Sequence, residues 1–198
     1  MVALRTLLPQ VRACQICKAA LPHGPRPVVQ ISRAAAILIA GQAPGRRMHE
    51  TGIPFNDPSG ERLREWMGVD RDTFYNDKKI ALLPMGFCYP GTGDNGDLPP
   101  RPECAPAWRE ALLANLPKLQ LTIVIGQYAQ AYHLNTAKQS VTDAVLSWKS
   151  YWPTQIPLPH PSPRNQMWVK KNPWFGRSMR RVIDLVWPCP RPPVPSLT

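Results

Sequence analysis

Apolar residues in this chain gather in short, nearly continuous runs separated by polar, proline-rich and glycine-rich stretches. The runs at 36–41, 80–85, 121–126 and 156–159 each end at or beside glycine or proline. Runs this short, rich in Ile, Leu and Val, predict strands buried on both faces, as in a parallel sheet. Pro84 cannot donate to a sheet ladder, so it marks a strand end rather than a strand centre. Elsewhere the apolar spacing changes to three and four. Leu63, Trp66 and Met67 follow Pro58-Ser59-Gly60, which predicts a helix with Ser59 as its N-cap. Residues 106–116, 127–134 and 174–187 read as further helices, and a short helical start precedes Cys14. Residues 42–56, 89–103 and 160–172 read as loops, and 188–198 as a proline-rich tail.

Strand, loop and helix in repeated succession predict an α/β fold. We expect a three-layer α/β/α sandwich with a central, mostly parallel four-stranded sheet. It occupies one domain over residues 1–187, with 188–198 as the tail. In such sheets the functional loops leave the carboxyl ends of the strands. Two loops meet that condition, Gly41-Gln42-Ala43-Pro44-Gly45 and His160-Pro161-Ser162-Pro163-Arg164-Asn165.

Charge narrows the partner. The chain of 198 residues carries 24 Lys+Arg against 13 Asp+Glu, a formal net charge of +11. A surface this basic suits a polyanion, and nucleic acid releases counterions when its phosphates are neutralised. No apolar run approaches the roughly 20 residues of a membrane span, and the N-terminus lacks a continuous signal-peptide core. The expected location is cytoplasmic, nucleoid-associated when acting, without a membrane partner. The five cysteines then argue for metal or chemistry rather than disulfides. Nothing in the sequence requires an oligomer, and a monomer is expected.

The two loops carry a resemblance. Gly41-Gln42-Ala43-Pro44-Gly45, after an apolar strand, resembles the first motif of the uracil-DNA glycosylase superfamily, and His160-Pro161-Ser162-Pro163-Arg164-Asn165 resembles its second. The Pro-Arg-Asn form is most similar to the single-strand-selective monofunctional branch. The first motif and the cysteines are more similar to the iron–sulfur, thermophile-type branch. Gly52-Ile53-Pro54-Phe55 matches the segment bearing the base-stacking Phe. The resemblance runs from about residue 14 to residue 186, and its specificity lies in the order and spacing of the motifs.

It implies a DNA repair enzyme that flips a uracil, or a related deaminated base, out of the stack and hydrolyses the N-glycosidic bond, leaving an abasic site. The candidate catalytic residues are His160, Gln42 and Asp57. His160 would donate a hydrogen bond to the charge that builds on the departing base. Gln42 would orient the water but, as a neutral amide, cannot take its proton. Asp57, two residues after Phe55, is the acid expected to do so. Gly41, Ala43, Phe55, Asn56, Ser162 and Asn165 are the candidate substrate contacts, with Phe55 stacking on the base. Arg46, Arg47, Pro161, Pro163, Arg164, Lys170 and Lys171 are the candidate DNA contacts. Trp168 and Trp174 lie among further basic residues, Arg177, Arg180 and Arg181, a composition suited to unstacked nucleic acid.

The sequence departs from its relatives twice. Some carry an acid where Gln42 stands. Iron–sulfur relatives place an Asn four residues before the third cluster cysteine to read uracil, and here that position is Pro84. Backbone groups or Asn56 would then read the base, with hypoxanthine and xanthine as alternative substrates.

Cys14-Gln15-Ile16-Cys17, then Cys88 and Cys104 fifteen residues apart, resemble the cluster ligands of the iron–sulfur branch. The implied cofactor is a [4Fe–4S] cluster with a structural role; zinc on the same four cysteines is the alternative. Cys189 stands outside this set. Two further functions stay open: a non-catalytic module binding damaged or single-stranded DNA, and an enzyme directed at RNA or nucleotides.

Overall fold

The structure, a computed structural model, describes residues 2–94, 96–135 and 139–176. The strands are β1 (Ile37–Ala40), β2 (Ile80–Leu82), β3 (Thr92–Gly93), β4 (Gly96–Asp97), β5 (Leu121–Ile125) and β6 (Gln155–Leu158). The four apolar runs become one four-stranded sheet in the order β2-β1-β5-β6. Every neighbouring pair is parallel, with Ile37 opposite both Ile80 and Leu121. The prolines obey the edge rule: Pro157 lies in edge strand β6, and Pro84 follows the end of edge strand β2. Thr92–Gly93 and Gly96–Asp97 pair as a separate antiparallel hairpin within the segment read as loop.

The helices are α1 (Leu4–Arg12), α2 (Arg46–Thr51), α3 (Pro58–Met67), α4 (Arg71–Tyr75), α5 (Cys104–Leu113), α6 (Gly126–His133), α7 (Val141–Leu146) and α8 (Gln166–Lys171). Alternation along β1 sorts them into two layers. Ile37 and Ile39 face a cluster with Leu63 and Met67 of α3, Phe74 of α4 and Val145 of α7. Leu38 faces Leu7 and Val11 of α1 and Leu112 of α5, while Ala40 and Val124 meet Ala129 of α6. With both faces covered, a solvent-facing polar stripe has no place, and the strands read as unbroken apolar runs.

Three expectations change. The segments 42–56 and 160–172 contain helices α2 and α8 as well as loop, and α3 is capped by Asp57 rather than Ser59. Asp57 Oδ1 accepts from the Gly60 N–H at 2.8 Å, and Ser59 is buried within the first turn. Proline at the first helical position fits because its missing N–H has no intrahelical partner there. The helix expected over 174–187 falls outside the described residues from 177 onward, as do Arg177, Arg180, Arg181, Cys189 and the tail.

The turn into α3 is the tightest backbone approach near the site. Phe55 holds φ +52°, a region non-glycine residues seldom adopt. Its carbonyl accepts from Tyr75 Oη at 3.2 Å and Arg64 Nη1 at 3.4 Å. A methyl group at position 60 would stand 1.8 Å from that carbonyl oxygen. Only glycine fits. We expect Gly60→Ala to destabilise the fold by about 3 kcal/mol. Gly24→Ala, at φ +72° but with open space around it, should cost only about 1 kcal/mol. Urea unfolding of the two variants checks the order, and equal losses would contradict the close approach.

Candidate active site and cysteine cavity

Chain direction places the site. From β1 the chain moves to β2 on one side; from β5 it moves to β6 on the other. The switch point lies between β1 and β5, and ligands of open α/β sheets bind at the carboxyl ends there. A cleft of about 370 Å³ opens at that place, lined by Gln42 after β1, Gly126 and Gln127 after β5, and His160 and Asn165 after β6. Val141, Thr142 and Trp168 complete its wall. Trp168 is turned by its indole N–H, which donates to Thr142 Oγ1 at 2.8 Å.

His160 is half-buried and held at two points. Its Nδ1 accepts from the Ser162 backbone N–H at 3.1 Å, and its carbonyl accepts from Asn165 Nδ2 at 2.8 Å. Burial lowers its pKa below the ordinary histidine value, although the carboxylates of Asp57 and Asp97 pull it the other way. The ring is therefore neutral near pH 7. With Nδ1 accepting, the proton of the neutral ring sits on Nε2, which becomes a fixed donor. Ser162 also caps the turn 163–165 through Oγ, and its carbonyl accepts from Arg62 Nη1 at 3.2 Å.

Gln42 is half-buried, and its amide faces the β3–β4 hairpin. Nε2 donates to the Leu98 carbonyl at 2.9 Å and lies 3.4 Å from the Asp97 carbonyl. Its Oε1 is left as the acceptor. The Phe55 ring lies against Gly41, 3.6 Å from where a Cβ there would stand, and meets Phe74 edge-on. Phe55 is buried and is absent from the residues lining the cleft. Asn56 Oδ1 accepts from Arg71 Nη2 at 3.2 Å, which directs that oxygen toward α4. Thus Gln42, His160 and Asn165 share one wall. Gly41, Phe55 and Asp57 lie beside it toward β2, and Asn56 turns away.

The four cysteines Cys14, Cys17, Cys88 and Cys104 line one cavity with Phe87, Arg101 and Trp108. Two of the sulfurs meet a donor: Trp108 Nε1 points at Cys14 Sγ and the Phe87 N–H at Cys104 Sγ, both at 3.3 Å. The Cys17 thiol donates to Glu103 Oε2 at 3.7 Å. Burial nevertheless pushes the thiols up, to about 11 for Cys88 and about 12 for Cys104. For Cys17, burial and then Glu103 raise it. Among the described residues, no three His, Cys, Asp or Glu side chains stand close enough to hold one metal ion.

With this geometry in place, comparison settles the family. The family model for the uracil DNA glycosylase superfamily matches residues 29–183. The chain belongs to the uracil DNA glycosylase superfamily. A solution NMR structure of a candidate uracil DNA glycosylase from Methanosarcina acetivorans is similar at 17% identity and a TM-score of 0.45, over 77% of this chain and 93% of that one.

For a superfamily member the exposed basic residues are well distributed. Arg46 and Arg47 begin α2, directly after the first loop; Arg46 pairs with Glu50 at 3.0 Å. Arg164 follows His160, and Lys170 and Lys171 end α8, all on the rim at the carboxyl ends of the strands. Pro161 is buried and Pro163 exposed. Among the described residues no helix is long and apolar enough to cross a membrane.

Sequence reasoning missed Gln127, Thr142 and the hairpin residue Asp97. The sequence Gly93-Asp94-Asn95-Gly96 is a hairpin signal that marks the last of these.

Three histidines, His49, His133 and His160, are held below the ordinary value and set a pH dependence. Burial, then Arg109, lowers His133 to about 3, and His160 is lowered as described. Below the unfolded value of about 6.5, the unfolded chain binds protons that the native one does not, so acid favours unfolding. We expect stability to fall steadily from pH 7 toward pH 4, and His133→Gln to flatten that slope. Urea midpoints against pH check this; a slope unchanged by His133→Gln would refute the contribution.

Proposed function

We propose that this protein is a monofunctional DNA glycosylase that hydrolyses the N-glycosidic bond of uracil, or a related deaminated base, leaving an abasic site. The observation that carries the reading is His160, neutral by burial, with Nδ1 closed by the Ser162 N–H and Nε2–H free to donate beside the cleft. Cleavage leaves electrons on the base and positive charge on the sugar. A pre-oriented Nε2–H meets the base oxygen as its charge grows, and a donor of this kind contributes roughly 10²–10³ in rate. Gln42 offers Oε1 to the attacking water, its N–H already given to the hairpin. Asp57, the carboxylate the sequence offers for activating the water, adds negative charge opposite the sugar while it caps α3. Neither motif holds a lysine nucleophile, so no Schiff base forms and the strand stays intact.

Phe55 becomes a base platform once the flipped nucleotide parts it from its neighbours over Gly41. The basic rim around Arg46, Arg47, Arg164, Lys170 and Lys171 neutralises phosphates. Pro84 reads no base by side chain, and its carbonyl is taken by Arg109 Nη1 at 2.9 Å. Base choice then rests on backbone groups, which admits hypoxanthine and xanthine beside uracil.

The cysteine cavity fits a [4Fe–4S] cluster of the kind implied by the iron–sulfur branch. The donor set is all sulfur, and Cys14 and Cys104 each face an N–H that can stabilise a thiolate. Zinc on the same four cysteines is the alternative occupant. When bound, the group supplies a cross-link. Cys14 and Cys17 would tie the segment after α1 to Cys88 and to Cys104 of α5.

Single-turnover assays on uracil-containing single- and double-stranded oligonucleotides test the activity. Wild type should yield abasic product, and His160→Ala should slow it at least about 100-fold. Tight binding without product from any deaminated base would instead favour a non-catalytic binding module. Separately, protein purified without air should contain iron and sulfide in equal amounts, lost in Cys104→Ser. One zinc per chain and no iron would overturn the cluster.

A further inference from the structure

The first loop lacks an acid, yet a carboxylate arrives beside it from elsewhere in the chain. The β3–β4 hairpin ends in Asp97, and three contacts fix it against both motif loops. Gln42 Nε2 holds the carbonyls of Leu98 and Asp97 at 2.9 and 3.4 Å. The Arg164 guanidinium lies on Gly96, 2.5 Å from where a Cβ would stand. Asp97 Oδ2 itself lies 3.5 Å from the corresponding point on Gly45. The other oxygen, Oδ1, accepts from Thr92 Oγ1 at 3.3 Å, and Thr92 is in turn hydrogen-bonded to the buried Tyr89 hydroxyl. One carboxylate oxygen is thus oriented by a hydroxyl pair, and the second faces the glycine loop.

We infer that Asp97 is the carboxylate that takes the proton from the attacking water, with Gln42 serving as the latch that holds it at the first motif. This rests on the glycosylase reading above. The water oxygen bonds to C1′ as the bond from C1′ to the base nitrogen breaks, and its proton passes to Asp97 Oδ2. The electron pair leaves with the base, stabilised by His160 Nε2–H. Asp57 is tied to α3, whose N-terminus its Oδ1 closes, whereas Asp97 Oδ2 lies against the first motif loop at Gly45. Asp97 is exposed in the free protein, so bound DNA would be what covers it and excludes competing solvent. His160 feels the carboxylates of both Asp57 and Asp97, which pull its pKa back up against burial.

The experiment is single-turnover excision by Asp97→Asn, with Asp94→Asn in the same hairpin as a control of equal charge change. DNA affinity is measured in parallel, and the His160 ring is titrated by NMR. Asp97→Asn should lose at least about 100-fold in rate with DNA affinity within a few-fold of wild type. It should also titrate His160 at lower pH than wild type, while Asp94→Asn matches wild type in all three. Asp97→Asn within threefold of the wild-type rate overturns the inference, as does an unmoved His160 titration. If the wild type excises no deaminated base, the glycosylase reading fails and the role of Asp97 falls with it. An active wild type with an active Asp97→Asn removes only Asp97.

Discussion

A buried guanidinium without a carboxylate joins the parts of this structure that matter most. Arg109 of α5 is fully buried. Its Nη1 donates to the Leu83 and Pro84 carbonyls at 3.2 and 2.9 Å, and its Nη2 meets His133 Nε2 at 2.6 Å. The Tyr132 ring lies 5.3 Å from its centre. An ion in such a place survives only if its donors are met, and Nε alone among them has no partner here. Burial draws its pKa down to about 10, so it stays charged at neutral pH and forces His133 to remain a neutral acceptor. The end of β2, the helix bearing Cys104 and the helix that opens at the cleft thereby share one side chain.

From that joint the chain reaches both functional places. Past Pro84 it passes Met85 and Gly86, whose N–H groups donate to the carbonyls of Gly41 and Gln42 at 2.8 and 2.9 Å. It then runs through Phe87 and Cys88 into the cysteine cavity and through Tyr89 into the hairpin. One continuous segment therefore presses on the first motif loop, lines the sulfur cavity and carries Asp97. Two backbone hydrogen bonds link this segment directly to the glycine loop. The proposed cluster would act in the cavity as a structural brace, without any part in bond breaking.

Much of this was legible beforehand. The four apolar runs became the four sheet strands because burial on both faces leaves a run no polar positions to blur it. The glycine loop and the His160 loop stood out because parallel sheets put function at strand ends. The CxxC pair was recognisable by spacing, and all four cysteines chosen from the sequence line one cavity. Most of what escaped notice depended on contacts across the chain. One miss was local: Asp57, not Ser59, caps α3, through the Gly60 N–H three residues on. Asp97 was hidden in a stretch that composition alone marks as loop, and its neighbours Gln42 and Gly45 lie some fifty residues earlier. Helices α2 and α8 are six residues each, too short to show a period.

The sheet order has a consequence for how the chain assembles during synthesis. β1 is made first yet lies between β2 and β5, so its second neighbour emerges only when residue 121 has left the ribosome. Until then Ile37, Leu38 and Ile39 have one open edge, and parallel pairing over such separations is slow. The nascent chain is exposed to aggregation in that interval, and a holdase chaperone binding the 36–41 run would protect the strand against which both β2 and β5 pair.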